Sequence, residues 1–525
     1  MDNDINPNSQ YADFRSVFIQ ETSDVHSSCS PLVLNIWRDR HFAESVLTTN
    51  IDNSAALRFS RSEGEGERSE CKKRIKEVGK RKMKGLLRSC ACTVTILLTM
   101  AFCTANAGAY SVLTHEELID LAWNASIKPF LLARFPAATD DQLREAHAYA
   151  YGGSAIQDMG YYPFGKKFFS NLTHYVRTGD FIACMFRNAR TMDEYAFAIG
   201  ALSHYLGDTI GHSQAINPAT GVEFPKLQDK FGSSVTYGES PHGHIRTEFA
   251  FDIEALTDAA FAPPAYLRFI GFKVPRKFLE QAFLDTYGFD VHEVLGRAHP
   301  ALRSYGASVR RFIPAIAQAE VVLHRHQFLP RPNDEAYRIF AGRVSQTNYD
   351  RNWKHTYRGP GFRAHLLAAL VFIMPKIGSA ADLAIKIPNS DTEEWYLRSV
   401  NHTVDSFRAQ LDKFRDEANA GNAKAAPANL NPANAHFANL DLDTGKIIKR
   451  GDYPLADKTY SQLLERLTSN PRRTVSENLR QNIVEYYAAS ENAPDPGQKI
   501  NAQLDLLKGM RTIAVVNRNG DALVQ

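Results

Sequence analysis

His204, Asp208 and His212 recur at every fourth residue in the run His204-Tyr-Leu-Gly-Asp208-Thr-Ile-Gly-His212. With about 3.6 residues per helical turn, that spacing stacks an imidazole, a carboxylate and a second imidazole on one face. A solvated stripe would show the same pattern. The flanks argue against it, because Ala198 to Leu202 and Leu206 are apolar and unpartnered His and Asp are costly on a buried helix. His244 and Glu248 repeat the four-residue step, which a surface pair also adopts. Upstream stand His115 after Thr114, Asp158 in a Gly-rich turn region, and His174 after Thr173. Singly, each is more often a capping or core polar group than a ligand. Their coincidence carries more weight, since seven of the chain's 17 histidines fall between His115 and His244.

Imidazole nitrogen and carboxylate oxygen are donors that zinc takes at about 2.0 to 2.2 Å, three or four protein ligands to an ion. Five histidines and three carboxylates are too many for one ion, so the count points to a cluster. No thiolate accompanies them. Carboxylate-rich multi-metal sites of this kind hydrolyse phosphate esters or peptides.

The elements that must position these residues read as helices. LTHEELIDLAWNASIKPFLLARF, DEYAFAIGALSHYLGDTIGHSQA and GHIRTEFAFDIEALT each place apolar residues three and four apart. Gly152-Gly153, Tyr162-Pro163 and Asn217-Pro218 separate the pieces. Helical patterning continues from Glu280 to His326 and from Glu393 to Glu417. Between them Ala364 to Met374, stopped by Pro375, reads first as a buried core helix and second as a lipid-dipping surface helix. An Ala/Asn/Pro-rich linker covers 418–439. Leu442 to Tyr453 reads as a short hairpin turned at Thr444-Gly445, and helix is expected from Ala456 to Val516. The sequence therefore predicts an all-α chain with additional C-terminal helices and a short hairpin.

Composition needs to be read in two parts. The chain has 525 residues, 44% of them hydrophobic, and a formal charge of +3, but Lys72 to Arg88 holds a basic cluster just ahead of the apolar run Ala91 to Phe102. With Thr104 to Ala109 behind it, this has the n-region, h-region and small-residue cleavage site of a secretory signal peptide, too short to span a bilayer. The expected organisation is a disordered or mis-annotated leader (1–82), a signal peptide (83–109), a catalytic domain (110–345), a helical extension (346–417), the linker (418–439) and a C-terminal unit (440–525). Location outside the cytoplasm, secreted or periplasmic, follows as an expectation. Beyond residue 109, basic and acidic residues nearly balance, which does not advertise a polyanionic partner, so no nucleic acid is expected. Five of the six cysteines precede residue 110. With Cys184 alone remaining, the mature fold cannot rely on an internal disulfide.

The order His, Asp, His, His-x-x-x-Asp, His, His-x-x-x-Glu between residues 110 and 248 resembles the zinc-dependent phospholipase C family, whose helical fold the fungal single-strand nucleases share. The four-residue step from Asp208 to His212 is closer to the glycosylphosphatidylinositol-specific phospholipase D branch. The segment from Asp441 to Leu467 is similar to the C-terminal part of bacterial members.

The resemblance implies three zinc ions. His174, His204, Asp158 and Asp208 would hold one; His212, His244 and Glu248 a second. His115, a bridging Asp208 and the mature N-terminal residue, expected to be Tyr110, would hold the third. Asp158 would also orient or deprotonate the attacking water. Met159 stands where a known phospholipase has an aromatic headgroup contact, leaving Tyr161, Tyr162 or Phe164 to line a different pocket. His147 and His242 are read as polar or supporting residues, and His324 and His326 as solvated. Asp441 and Asp443 suggest a calcium loop, but Gly445 falls where a ligand is needed.

The activity expected on this resemblance is cleavage of a phospholipid or related phosphodiester, with transient contact to a membrane surface and no obligate protein partner. A nuclease or nucleotidase with the same site, and a non-catalytic zinc-stabilised lipid-binding module, are the alternatives. The first should add stacking aromatics and a basic groove. The second should leave no open coordination position.

Overall fold

The computed structural model describes residues 112–257, 267, 269–296, 298–327, 334–347, 360–373, 382–420, 436–488 and 495–513. The segments expected to be a leader (1–82) and a signal peptide (83–109) lie outside the described residues, as do Tyr110 and most of the 418–439 linker.

Helices α1 (Val112–Ala122), α2 (Asp140–Ser154), α3 (Lys167–Tyr175), α4 (Thr178–Asn188) and α5 (Met192–Gly211) build the first part. Reciprocal capping boxes start α2 and α5, with Thr139 and Gln142 closing one and Thr191 and Glu194 the other. From Tyr195 onward α5 is almost wholly buried, because its sequence is apolar on every face except the His204–Asp208 stripe. It can lie close to α2 because a Cβ at Gly200 would sit 2.1 Å from the Ala150 carbonyl oxygen, and one at Gly153 2.1 Å from that of Phe197. Only glycine permits that approach.

Past α5 the chain continues as a π turn, His212–Ile216. Helix α6 (Pro241–Thr257) follows, then α7 (Arg276–Tyr287), α8 (Ile313–His324), α9 (Phe362–Ile373) and the long α10 (Ser390–Ala420). Phe169, Phe181 and Phe197 pack with Phe278 and Phe283 of α7 in the larger core. A second core joins α1, α6, α8 and α10, with Phe251 stacked on Tyr396 at 4.6 Å.

The C-terminal region holds the hairpin and more helices, and all-α describes the protein. Leu440 pairs antiparallel with Ile447, and the turn closes where the Gly445 amide donates to the Asp441 carbonyl at 2.8 Å with Gly445 at φ +70°. Helices α11 (Pro454–Thr468), α12 (Glu477–Ala488) and α13 (Gln498–Gly509) follow. Helix does not persist to Val516: β1 (Val475–Ser476) pairs in parallel with β2 (Thr512–Ile513). Val475 is fully buried, and β-branched residues favour that extended pairing.

Helix α9 also departs from expectation. It buries only Ala364, Ala368 and Val371, one stripe packed against α8, and leaves Phe362, Phe372 and Ile373 more than 70% exposed. Beyond Arg363 and His365 its sequence is apolar on every face, so periodicity could not separate one buried face from several. No helix among the described residues is long and apolar enough to cross a membrane.

Candidate metal centre

Three helices aim the motif residues inward. His115 lies on α1, His174 on α3, and His204 and Asp208 one turn apart on α5, while a 3₁₀ turn (Gln157–Tyr161) carries Asp158. Gln157 fixes that turn by donating its side-chain amide to the Ala201 carbonyl at 2.9 Å. Asp208 sits at the middle of the group. Its Oδ1 is 3.3 Å from His115 Nε2, and its Oδ2 is 3.0 Å from His204 Nε2 and 3.4 Å from His174 Nε2. Asp158 Oδ1 lies 3.3 Å from the same His174 nitrogen.

His212, His244 and Glu248 form the neighbouring group. Glu248 Oε1 is 3.3 Å from His212 Nε2 and 2.8 Å from His244 Nε2. The stripe read from sequence thus serves two groups, since the π turn begins at His212 and carries that ring towards α6. π turns often sit at functional positions. All eight described residues of the expected set are at most 3% exposed.

The donors suit a metal ion on several counts. His174 Nδ1 donates to the Ser170 carbonyl at 2.8 Å and His204 Nδ1 to that of Ser154 at 2.9 Å. A carbonyl only accepts, so each ring keeps its Nε2 towards the carboxylates, the orientation that metal-binding histidines receive from such partners. Both Asp208 oxygens, Asp158 Oδ1 and Glu248 Oε1 are each met by imidazole nitrogens at 2.8 to 3.4 Å.

Charge points the same way. Burial, helped by His204, lowers the His115 ring to about 4, burial also lowers His212 to about 4, and burial lowers His244 to about 3. These rings are neutral near pH 7, as ligation requires. Burial would lower His174 as well, but contact with Asp158 and Asp208 lifts it to about 10: it holds a proton where a cation could stand instead. Burial, then Asp158, Asp208 and Asp443, pushes the Glu248 carboxyl well above its ordinary range. Such crowding of acids is relieved by a bound cation.

Sequence reasoning missed Asp443 as part of this site. The hairpin brings its carboxylate, 1% exposed, to 3.7 Å from His212 Nδ1, and donor atoms of His212, His244 and Asp443 lie within 4.8 Å of one another. Asp441 accepts the Asp443 and Thr444 amides, which stiffens the turn. The only available signal was the acidic pair Asp441/Asp443 beside a turn glycine, a pattern that does not say what it faces.

Tyr161 and Tyr237 stand 6.0 Å apart, centroid to centroid, beside His174 and His244 respectively. Tyr162 instead packs on Tyr305, and Phe164 is 68% exposed. His147 is buried, 2.8 Å from Asp120. His242 is half-exposed and 2.6 Å from Asp382. His324 is not simply solvated, because it lies 3.3 Å from the buried Glu320, whereas His326 is exposed.

A helical fold that buries clustered imidazoles and carboxylates offers donor groups that could hold metal ions. Residues 114–292 match the model of the zinc-dependent phospholipase C family. No curated protein and no solved structure matches the chain.

Proposed function

We propose that this protein is an exported zinc-dependent phospholipase C acting on phospholipid headgroups, with three zinc ions held by His115, Asp158, His174, His204, Asp208, His212, His244 and Glu248. The observation that carries the reading is the placement of Asp208, whose two carboxylate oxygens face His115 on one side and His174 and His204 on the other. Such a carboxylate suits a bridge between two cations. When bound, zinc supplies positive charge for phosphate oxygens and lowers the pKa of a water towards about 7.

The remaining work falls to the chain. Asp158, within reach of His174 and inside the buried group, is placed to orient a water and take its proton. Ser170 and Ser154 hold two rings through their carbonyls, and the apolar packing around α5 excludes bulk solvent from the charged groups. Tyr161 and Tyr237 offer an aromatic wall for a headgroup. The exposed apolar side of α9 supports transient contact with a lipid surface.

Export and processing complete the proposal. Signal-peptide cleavage after Ala109 would free the α-amine of Tyr110, five residues before His115, as a further ligand for the ion shared by His115 and Asp208. Mass spectrometry of products from a mixed phospholipid panel, with and without a zinc chelator, tests the activity. Zinc-dependent release of diacylglycerol and a phosphorylated headgroup is expected; an untouched panel would refute it.

A further inference from the structure

Three imidazoles in the centre have a second nitrogen turned away from the shared carboxylates, and the structure shows what each of them meets. His174 Nδ1 and His204 Nδ1 each donate to a backbone carbonyl. His212 turns Nε2 to Glu248 at 3.3 Å and Nδ1 to Asp443 Oδ1 at 3.7 Å. We propose that Asp443, a residue outside the matched 114–292 region, is the positioning residue of His212: it accepts the Nδ1 hydrogen and sets the ring's orientation and basicity towards the ion held with His244 and Glu248. The inference rests on the zinc reading above.

The placement of Asp443 is built rather than incidental. The hairpin is tied to segments around the site: the Leu442 amide donates to the His174 carbonyl at 3.1 Å, Asn217 to the Asp443 carbonyl at 2.7 Å, and Thr178 to the Leu440 carbonyl at 2.7 Å. Gly445 lets the turn press on α5, since a Cβ there would lie 2.6 Å from the Thr209 oxygen. The carboxylate itself is clamped. Tyr453 donates its hydroxyl to Oδ2, and the Tyr237 amide donates to Oδ1 at 3.3 Å. The Tyr453 hydroxyl is in turn held by the Gly238 amide at 2.8 Å.

Chemistry favours positioning over direct ligation. Glu248 and Asp443 face different nitrogens of one ring, so an ion held through Nε2 with Glu248 and His244 would leave Nδ1 to Asp443. With Nε2 engaged, His212 would carry its remaining hydrogen on Nδ1, the nitrogen 3.7 Å from Asp443 Oδ1. At 3.7 Å the pair is an electrostatic contact and needs a small shift to become a hydrogen bond. Carboxylate–histidine pairs of this type typically strengthen metal affinity 10- to 100-fold.

The test uses full-length zinc-loaded protein. Chelator competition measures the weakest-held zinc in the native chain and in Asp443→Ala, Asp443→Asn and Glu248→Gln. Positioning predicts a loss of about 10- to 100-fold for Ala and a smaller loss for Asn, which keeps an acceptor but not the charge. Cobalt substituted for zinc should show a shifted visible spectrum in Asp443→Ala. Wild-type affinity and spectrum in both Asp443 variants would overturn the proposal. Native protein that binds no zinc would sink the functional reading instead. Should the variants fail to fold, anomalous diffraction from zinc-soaked native crystals decides: the ion on Nε2 with Asp443 at hydrogen-bond distance from Nδ1 supports positioning, and an Asp443 oxygen at about 2.0 to 2.2 Å from the ion overturns it.

Discussion

Thr114 donates its hydroxyl to Asp252 Oδ1 at 2.6 Å, joining the first turn of α1 to the helix that carries His244 and Glu248. The Leu113 and Thr114 amides donate to the same carboxylate, each at 3.1 Å, so Asp252 caps α1 from a distance. His244, Glu248 and Asp252 follow one another at four-residue steps on α6, and one face thus serves both the metal group and the helix bearing His115. Asp252→Ala should lower stability by about 2 kcal/mol, because it strips a charged acceptor from buried donors. Asp252→Asn should cost less. Thermal melts of both variants check this, and an unchanged midpoint in the Ala variant would refute the capping role.

Asp208→Asn should depress turnover more than Glu248→Gln, since Asp208 faces three imidazoles in two directions and Glu248 faces two in one. Metal analysis should show more than one zinc weakened in the Asp208 variant. Near-native turnover in purified, folded Asp208→Asn protein would remove the bridging assignment.

Burial pushes the Cys184 thiol up to about 11, so it stays protonated and unreactive in the folded chain at pH 8. A raised folded pKa adds stability that is present below the ordinary thiol value near 8.5 and is lost as pH rises through about 11. Peptide-mapped alkylation should leave Cys184 unmodified at pH 8 until denaturant is added. Rapid labelling of the native chain would contradict its burial.

Phe372→Ser with Ile373→Ser should reduce sedimentation with phospholipid vesicles several-fold, because these side chains contribute the exposed apolar area of α9. Equal binding by the double variant would move the lipid contact elsewhere.

What could be read in advance was whatever is local. His204, Asp208 and His212 share a spacing that any helix converts into proximity, and His244 with Glu248 does the same on α6. Asp443 was not legible in this way, because its meeting with His212 depends on the hairpin returning across α3 and α5, a tertiary event with no sequence period. The parallel pairing of Val475 with Thr512 is likewise non-local. Helix α9 failed for a different reason: from Leu366 onward its run is wholly apolar and has no polar face to show how much of it the fold covers.

The central claim, that these clustered side chains hold the zinc on which phosphodiester cleavage depends, is tested most directly by titrating zinc back into chelator-stripped protein while following hydrolysis of a phospholipid substrate. Activity should be absent in the stripped chain and return in step with bound zinc, reaching full value near three equivalents. Full turnover by the metal-free chain, or three bound zinc ions with no hydrolysis of any phosphodiester, would contradict the account.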